Sequence, residues 1–109
     1  MGKLDLDVLA MLIAVADAGS FVRGAELVHR SQSAVSMQIK ALETSLGKPL
    51  FIRNTRNLAL TPEGQTLVGY ARRMLLLRDE AWASVVHPEV TGRVTIGVPD
   101  DYQNENLYC

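Results

Sequence analysis

The stretch SFVRGAELVHRSQSAVSMQIKALETSLG, residues 20–47, contains two short helical patterns that meet at an abrupt turn. Ser20 and Ser31 each stand where a hydroxyl can accept a hydrogen bond from the first turn of a helix. The first helix is expected to end near His29, and the second to cover about residues 32–46. Apolar residues recur in the second helix at spacings of four, three and four, which is typical of one buried face. They are Val35, Ile39, Leu42 and Leu46.

The other face of this second helix is polar but almost uncharged. It contains Gln32, Ser33, Ser36, Met37, Lys40 and Thr44. A helix face that only contacts water usually carries more Glu and Lys, whereas a face that enters a major groove needs short hydrogen-bonding side chains. The stretch therefore predicts a helix-turn-helix whose recognition helix is about residues 32–46. Two helices of an ordinary bundle with a polar outer face remain an equally open interpretation of these residues alone.

The length and composition indicate one small domain with some chain left over. The 109 residues are 48% apolar, and no stretch approaches the ~20 apolar residues of a membrane span. The first residues, MGKLDLD, carry acids where a secretory signal needs positive charge. The single cysteine, Cys109, can form no internal disulfide. These features favour a reducing, cytoplasmic location.

The net charge of −1 conceals a basic domain. Residues 21–60 contain six Lys and Arg against two Glu, whereas residues 79–109 contain six acids against one Arg. The positive charge therefore lies on the helix-turn-helix and on the segment directly after it, where binding to phosphates would need it.

Another helix is expected before this stretch, beginning after Asp5 and ending at Ala18 with Gly19 as its terminator. Its predicted core stripe is Leu6, Leu9, Leu12, Ile13 and Ala16. Val8, Met11 and Val15 are apolar as well, so the helix is hydrophobic around most of its girth. Such a helix is either buried within the domain or covered on one side by another helix.

After the recognition helix, the apolar runs 50–53 and 58–61 flank the turn-rich segment NTRN, residues 54–57. This pattern predicts a β-hairpin, and a hairpin beside a helix-turn-helix is a wing. Arg53 at its base and Arg56 at its tip can then reach phosphates or a minor groove. The alternative is that both arginines are solvated loop charges.

Thr61, Pro62 and Glu63 are a strong start for a helix that runs to about Val86, before Pro88. About 25 residues make a helix ~37 Å long, which exceeds the width of the small domain before it. Residues recur along it at a seven-residue period, and pairing of two chains through them and through the first helix is expected. The predicted dimer interface is Met11, Leu67, Ala71, Met74, Arg78, Ala81 and Val85.

Three regions are thus expected: a winged helix-turn-helix over residues 1–61, a dimerisation helix over 62–87, and a hinge over 88–109 that leads into a further domain. VTIGV, residues 94–98, is expected to begin a strand of that domain. The final ENLYC resembles part of a protease-tag site, so it is either native or a tag remnant.

A long series of motifs is similar to a known family. The series includes AGSF (18–21), A-E-x-x-x-x-S-Q-x-A-x-S-x-x-I (25–39), L-G-x-x-L-F-x-R (46–53), R-x-x-x-L-T-x-x-G (56–64) and YARR (70–73). Over about residues 4–98 the chain resembles the N-terminal DNA-binding region of LysR-type transcriptional regulators. The resemblance implies a mainly α, winged helix-turn-helix fold and a linker helix that pairs antiparallel in a homodimer. It also implies tetramers of the full-length protein and a small-molecule effector bound by a further domain.

The resemblance implies further that the recognition helix and the wing bind double-stranded DNA. The residues expected at the DNA are Ser31, Gln32, Ser33, Ser36, Met37, Lys40, Arg53 and Arg56. Among them, the resemblance places Gln32, Ser33, Ser36 and Met37 at base-reading positions and Arg53 on the wing. Two of them depart from the family pattern. Ser33 stands where proline is usual, and Met37 stands where many members have arginine, the side chain suited to guanine. Methionine offers only an apolar contact, for instance to a thymine methyl group.

Two other classes of function compete with DNA binding. An enzyme is disfavoured, because His29 and His87 lie beside a turn and a proline, and no phosphate loop or Cys/His metal spacing is present. His29 is expected to be a turn residue that packs on the domain, and neither metal nor cofactor is expected. A dimerisation or protein-interaction module would explain the long helix and the apolar first helix. It would not explain the wing arginines or the uncharged recognition face.

Overall fold

The computed structural model describes residues 2–53 and 58–87, and these form four helices and one antiparallel hairpin. The elements in chain order are α1 (Leu6–Ala18), α2 (Phe21–Leu27), α3 (Gln32–Leu46), β1 (Phe51–Arg53), β2 (Leu58–Leu60) and α4 (Pro62–Val86). Three helices, a hairpin wing and a long fourth helix confirm the fold class that the sequence predicts.

All four helices begin after a residue whose side chain accepts a hydrogen bond from a backbone N–H of the first turn. These residues are Asp5, Ser20, Ser31 and Thr61, with donor–acceptor distances between 2.8 and 3.2 Å. Gly19 and Gly47 end α1 and α3 in the left-handed conformation, at φ of 73° and 71°. The predicted starts of the helices are therefore confirmed.

The turn between α2 and α3 begins earlier than the sequence predicts, because α2 ends at Leu27. His29 has φ of 57°, a left-handed conformation that an α-helix does not contain, which confirms it as a turn residue. Its side chain is exposed, however, and does not pack on the domain as predicted. The backbone N–H of Arg30 then donates to the carbonyl oxygen of Ala25 at 3.0 Å. These contacts redirect the chain so that Ser31 can begin α3.

The core is built around α1, against which α2, α3 and β2 pack. Its completely buried large side chains are Leu9, Leu12 and Val15 of α1, Val35 and Ile39 of α3, and Leu50 before the hairpin. Phe51 of the hairpin and Val68 of α4 complete one continuous cluster with them. The winged domain therefore includes the beginning of α4.

The buried face of α1 differs from the predicted stripe. Leu9 and Leu12 are buried, but Leu6, Ile13 and Ala16 are only half-buried. Met11, Ala14 and Val15 are buried in addition. This helix is the element on which α2, α3 and β2 all pack, so more than one stripe of it is covered. At the end of α3, Leu46 is 42% exposed and does not continue the buried face of Val35, Ile39 and Leu42.

Two residues of the predicted dimer interface lie in this core. Met11 is 3% exposed and Ala71 is 0% exposed in the single chain. Both side chains are packed by their own domain, so neither offers a large area that pairing of two chains could bury. Met11, which lies outside the predicted core stripe of α1, is thus buried within the single chain and does not need a second chain to cover it.

The wing is a two-stranded hairpin in which Phe51 pairs with Leu60 and Arg53 with Leu58. The predicted turn at residues 54–57, and with it Arg56, lies outside the described residues. Thr61 fastens the base of the hairpin to α4, since its Oγ1 donates to the carbonyl oxygen of Pro49 at 2.7 Å and accepts from the N–H of Gly64.

The long helix α4 passes from one compact unit of the chain into the next between Leu75 and Leu76. In the first unit, Arg72 forms a two-pronged ion pair with Asp17 of α1, at 3.2 Å and 2.5 Å. The hydrogen bonds from Arg72 lower the pKa of the Asp17 carboxyl below its ordinary value. No helix of the described residues is long and apolar enough to span a membrane. The predicted strand at residues 94–98 lies outside them.

Candidate nucleic-acid interface

The face of α3 that the sequence assigns to DNA is presented to solvent. Successive residues turn by about 100° around an α-helix, so the five predicted DNA-binding residues from Gln32 to Lys40 cover about 140° of its circumference. Gln32, Ser33, Met37 and Lys40 are exposed, and Ser36 is half-buried. Four of these five side chains can form hydrogen bonds, and together the five make one continuous surface that faces solvent.

Ser31 has a structural function at the beginning of this surface. Its Oγ accepts from the N–H of Ala34 at 3.2 Å and lies 3.4 Å from Oγ of Ser33. The hydroxyl hydrogen of Ser31 is not needed for the cap and can be donated elsewhere. Ser31 thus both fixes the start of α3 and offers a donor beside its first turn.

Arg53, the last residue of β1, is held close to the recognition helix. Its Nη2 lies 3.5 Å from Oε1 of Glu43 in α3, and its Cζ lies 5.0 Å from the ring centroid of Phe21 in α2. Phe21 itself packs edge-on against Phe51, with ring centroids 5.4 Å apart. The side chain of Arg53 is nevertheless 45% exposed. A positively charged group is therefore oriented by α2 and α3 and still accessible.

Glu43 is a residue of this site that the sequence pattern did not identify. Its Oε2 accepts hydrogen bonds from the N–H groups of Leu50 and Phe51, at 2.7 Å and 3.4 Å, and its side chain is only 13% exposed. One carboxylate thus connects α3 with the beginning of the wing and also pairs with Arg53. Its sequence signal was that it is the only acid of α3.

The remaining predicted interface residues fall into two groups along α4. Leu67 and Met74 are half-buried and pack against the core. Arg78, Ala81 and Val85 are exposed.

In the second half of α4, large apolar side chains face solvent. Trp82 is 71% exposed and Val85 is 81% exposed. With Ala81 and Val86 they line a shallow apolar cleft, beside which Arg78 pairs with Asp79 at 3.1 Å. A surface of this composition is typical of an interface between proteins.

Residues 2–53 and 58–87 contain no cluster of three His, Cys, Asp or Glu side chains that could hold a metal ion. His29 lies in the turn before α3, and His87 directly follows α4.

The sequence matches the family of bacterial regulatory helix-turn-helix proteins called the lysR family, over residues 6–65. The chain is 48% identical over 99 residues to the HTH-type transcriptional regulator PecT of Dickeya dadantii (strain 3937), covering 91% of this chain and 31% of PecT. It is 39% identical over 100 residues to the HTH-type transcriptional regulator DgdR of Burkholderia cepacia, covering 92% of this chain and 34% of DgdR. The chain thus spans about a third of the length of these curated relatives.

Solved structures of two DNA complexes have a similar fold. The BenM DBD in its complex with catB site 1 DNA superimposes with a TM-score of 0.73 at 32% identity, covering 75% of this chain and 91% of that chain. The CbnR DBD in its DNA complex gives a TM-score of 0.68 at 34% identity, covering 83% of this chain and 100% of that chain.

Proposed function

The chain belongs to the lysR family of bacterial regulatory helix-turn-helix proteins, and we propose that it binds double-stranded DNA sequence-specifically as part of a transcriptional regulator. The observation that carries the proposal is the exposed face of α3, which is rich in hydrogen-bonding side chains and lies beside an oriented arginine of the wing. The similar BenM and CbnR domains were solved in complexes with DNA, which supports the same kind of ligand here.

In this proposal α3 enters the major groove. Gln32 and Ser36 lie on the flank of α3 nearest Glu43 and the wing, and their side chains hydrogen-bond base edges. Ser33, exposed in the middle of this face, also hydrogen-bonds a base edge. Ser31, at the N-terminal end of the helix, donates to a phosphate oxygen. Lys40 contributes the positive charge of the same face.

The wing contacts the adjacent backbone or minor groove. Arg53 is 45% exposed, and phosphate oxygens can replace or share its ion pair with Glu43. We propose the same type of contact for Arg56, since its position in the sequence is between β1 and β2. These contacts fix the position of α3 on the duplex, while the base contacts of α3 supply the sequence preference.

We propose that two chains bind together as a homodimer through the second half of α4. Trp82 and Val85 are exposed, and with the neighbouring Ala81 they form an apolar strip. Pairing of two copies of the chain would bury this strip. A two-fold axis makes such a strip complementary to itself. The operator would accordingly be an inverted repeat.

The full-length regulator would in addition form tetramers and bind a small-molecule effector in a further domain. Support for this part comes from the relatives, which are about three times as long as this chain and are named transcriptional regulators. The proposed activity is binding without a catalytic step. It would take place in the cytoplasm, where bacterial chromosomal DNA lies.

The proposal is tested with two glutamines on different flanks of the same helix. An operator is first selected from random-sequence duplexes. Gln32→Ala should lower affinity for it by about 1–3 kcal/mol, with a much smaller effect on random DNA, because one base contact is lost. Gln38, exposed about 120° from Gln32 and away from the wing, is the matched control, and Gln38→Ala should leave affinity unchanged. Equal losses for both variants, or equal losses on random DNA, would contradict base reading by this face.

A further inference from the structure

We infer that Met37 contacts the methyl group of a thymine in the major groove, so that the half-site bound by α3 requires thymine at one position. The inference rests on the proposed function, DNA binding by α3, and specifies one base that α3 recognises. It concerns the one large apolar side chain on the exposed face of α3.

The position of Met37 gives it access to a groove. The side chain is 65% exposed and does not belong to the core cluster or to the residues packed against it. At about 100° per residue, Met37 lies almost diametrically opposite Val35, Ile39 and Leu42, whose side chains are buried. Met37 therefore extends from the side of α3 that is farthest from the core.

The neighbours of Met37 on the helix surface increase its reach. Residues three and four positions away on an α-helix are its neighbours. For Met37 these are Ser33, Ala34, Lys40 and Ala41, three of which are short. The flexible thioether chain is thus the most prominent apolar group of a face whose other side chains are small or polar.

The chemistry of this side chain selects among the bases. The major-groove edge of each base pair presents hydrogen-bond donors and acceptors, and thymine alone adds an apolar methyl group. A methionine against a donor or acceptor would leave that group without its hydrogen bond, which is unfavourable. Guanine is read best by a bidentate cation, and α3 contains no arginine and only one lysine. Thymine is therefore the base whose edge fits Met37.

The inference is tested by removing one methyl group from the DNA. Operators are selected from random duplexes with the unmodified chain and with Met37→Ala. The unmodified chain should require thymine at one position of the half-site at which Met37→Ala accepts any base. At that position, deoxyuridine in place of thymidine should weaken binding of the unmodified chain about fourfold, as expected for one methyl group no longer buried.

The matched variants separate this contact from a general effect on the helix. Deoxyuridine in place of thymidine should not weaken the binding of Met37→Ala. It should weaken the binding of Met37→Leu almost as much as that of the unmodified chain, because leucine is also apolar. Met37→Arg should shift the preference at that position towards guanine. If deoxyuridine affects the unmodified chain and Met37→Ala equally at every position, the inference is wrong although the proposed function stands. If the unmodified chain enriches no sequence at all, the proposed function fails and the inference falls with it.

Discussion

At the scale of single residues, Arg53 is the residue of the wing for which the structure supports a contact with DNA most directly. Its guanidinium is oriented by Glu43 and Phe21 before any ligand arrives, so little side-chain freedom is lost when it meets a phosphate. The carboxylate of Glu43 also accepts hydrogen bonds from the N–H groups of Leu50 and Phe51. These bonds hold Glu43 in place and thereby keep Arg53 beside α3.

Arg53→Ala should weaken binding to the selected operator and to a scrambled duplex alike, because a phosphate contact carries no sequence information. The slope of log K against log salt should become smaller by about one unit. Arg73→Ala is the matched control, since Arg73 lies over the ring of Tyr70 on α4 and is outside the proposed interface. Affinity that is unchanged by Arg53→Ala at two salt concentrations would remove Arg53 from the interface.

The sequence predicts which side chains of α3 face solvent, but it does not predict which residues of other elements the side chains of α3 contact. Hydrophobic periodicity locates Val35 and Ile39 in the core and thereby locates the polar face opposite them. Periodicity contains no information on contacts between separate elements. Glu43 meets Leu50 across a turn, so neither its near-complete burial nor its ion pair with Arg53 could be predicted.

At the scale of elements, the angle between the helices depends on the close approach of α2 to α1. A Cβ atom at Gly24 would lie 2.7 Å from the Cα of Val15, so any larger residue forces the two helices apart. The recognition helix follows α2 after a short turn, and its orientation therefore depends on the same contact.

Gly24→Ala should destabilise the domain by about 1–3 kcal/mol, as overpacking does, and should weaken operator binding because α2 and α3 move together. Gly69→Ala is the matched control on α4. A Cβ atom there meets nothing within 4 Å, and alanine should stabilise the helix by up to about 1 kcal/mol. Urea unfolding measures both changes. A neutral Gly24→Ala would show that α1 and α2 are not in fixed contact.

Local signals predicted most of the elements, whereas packing decided which faces are buried. Capping residues at Asp5, Ser20, Ser31 and Thr61 specify the starts of the helices through hydrogen bonds within one turn. The buried face of α1 could not be found in this way, because the helix is apolar on nearly every side. The packing of the other elements against α1, and not its own sequence pattern, determines that Met11 is buried while Ile13 remains half-buried.

At the scale of the whole molecule, the exposed apolar strip of α4 should make the chain a dimer without any small molecule. Trp82→Glu combined with Val85→Glu would place two negative charges in the apolar strip of α4. Burying these charges between two chains is strongly unfavourable. Sedimentation should show this double variant to be monomeric, while circular dichroism shows its helices intact. Met74 is left unchanged because it packs against the core of its own domain.

Leu27→Glu, at a residue of α2 that is 62% exposed, is the control for adding surface charge and should remain dimeric. Two recognition helices related by a two-fold axis should bind half-sites about one helical turn apart, or a small multiple of this, arranged as an inverted repeat. An unmodified chain that sediments as a monomer even when bound to DNA would rule out dimerisation through α4.

The most direct test of sequence-specific DNA binding is a competition between two duplexes of identical composition at near-physiological salt. One is the operator selected by the unmodified chain, and the other is the same sequence scrambled. Because the face of α3 reads base edges in this interpretation, we expect the operator to bind about 10³-fold more tightly or better. Equal affinity for the two duplexes would mean that the chain recognises only the charge of the DNA backbone, and would contradict base reading by α3.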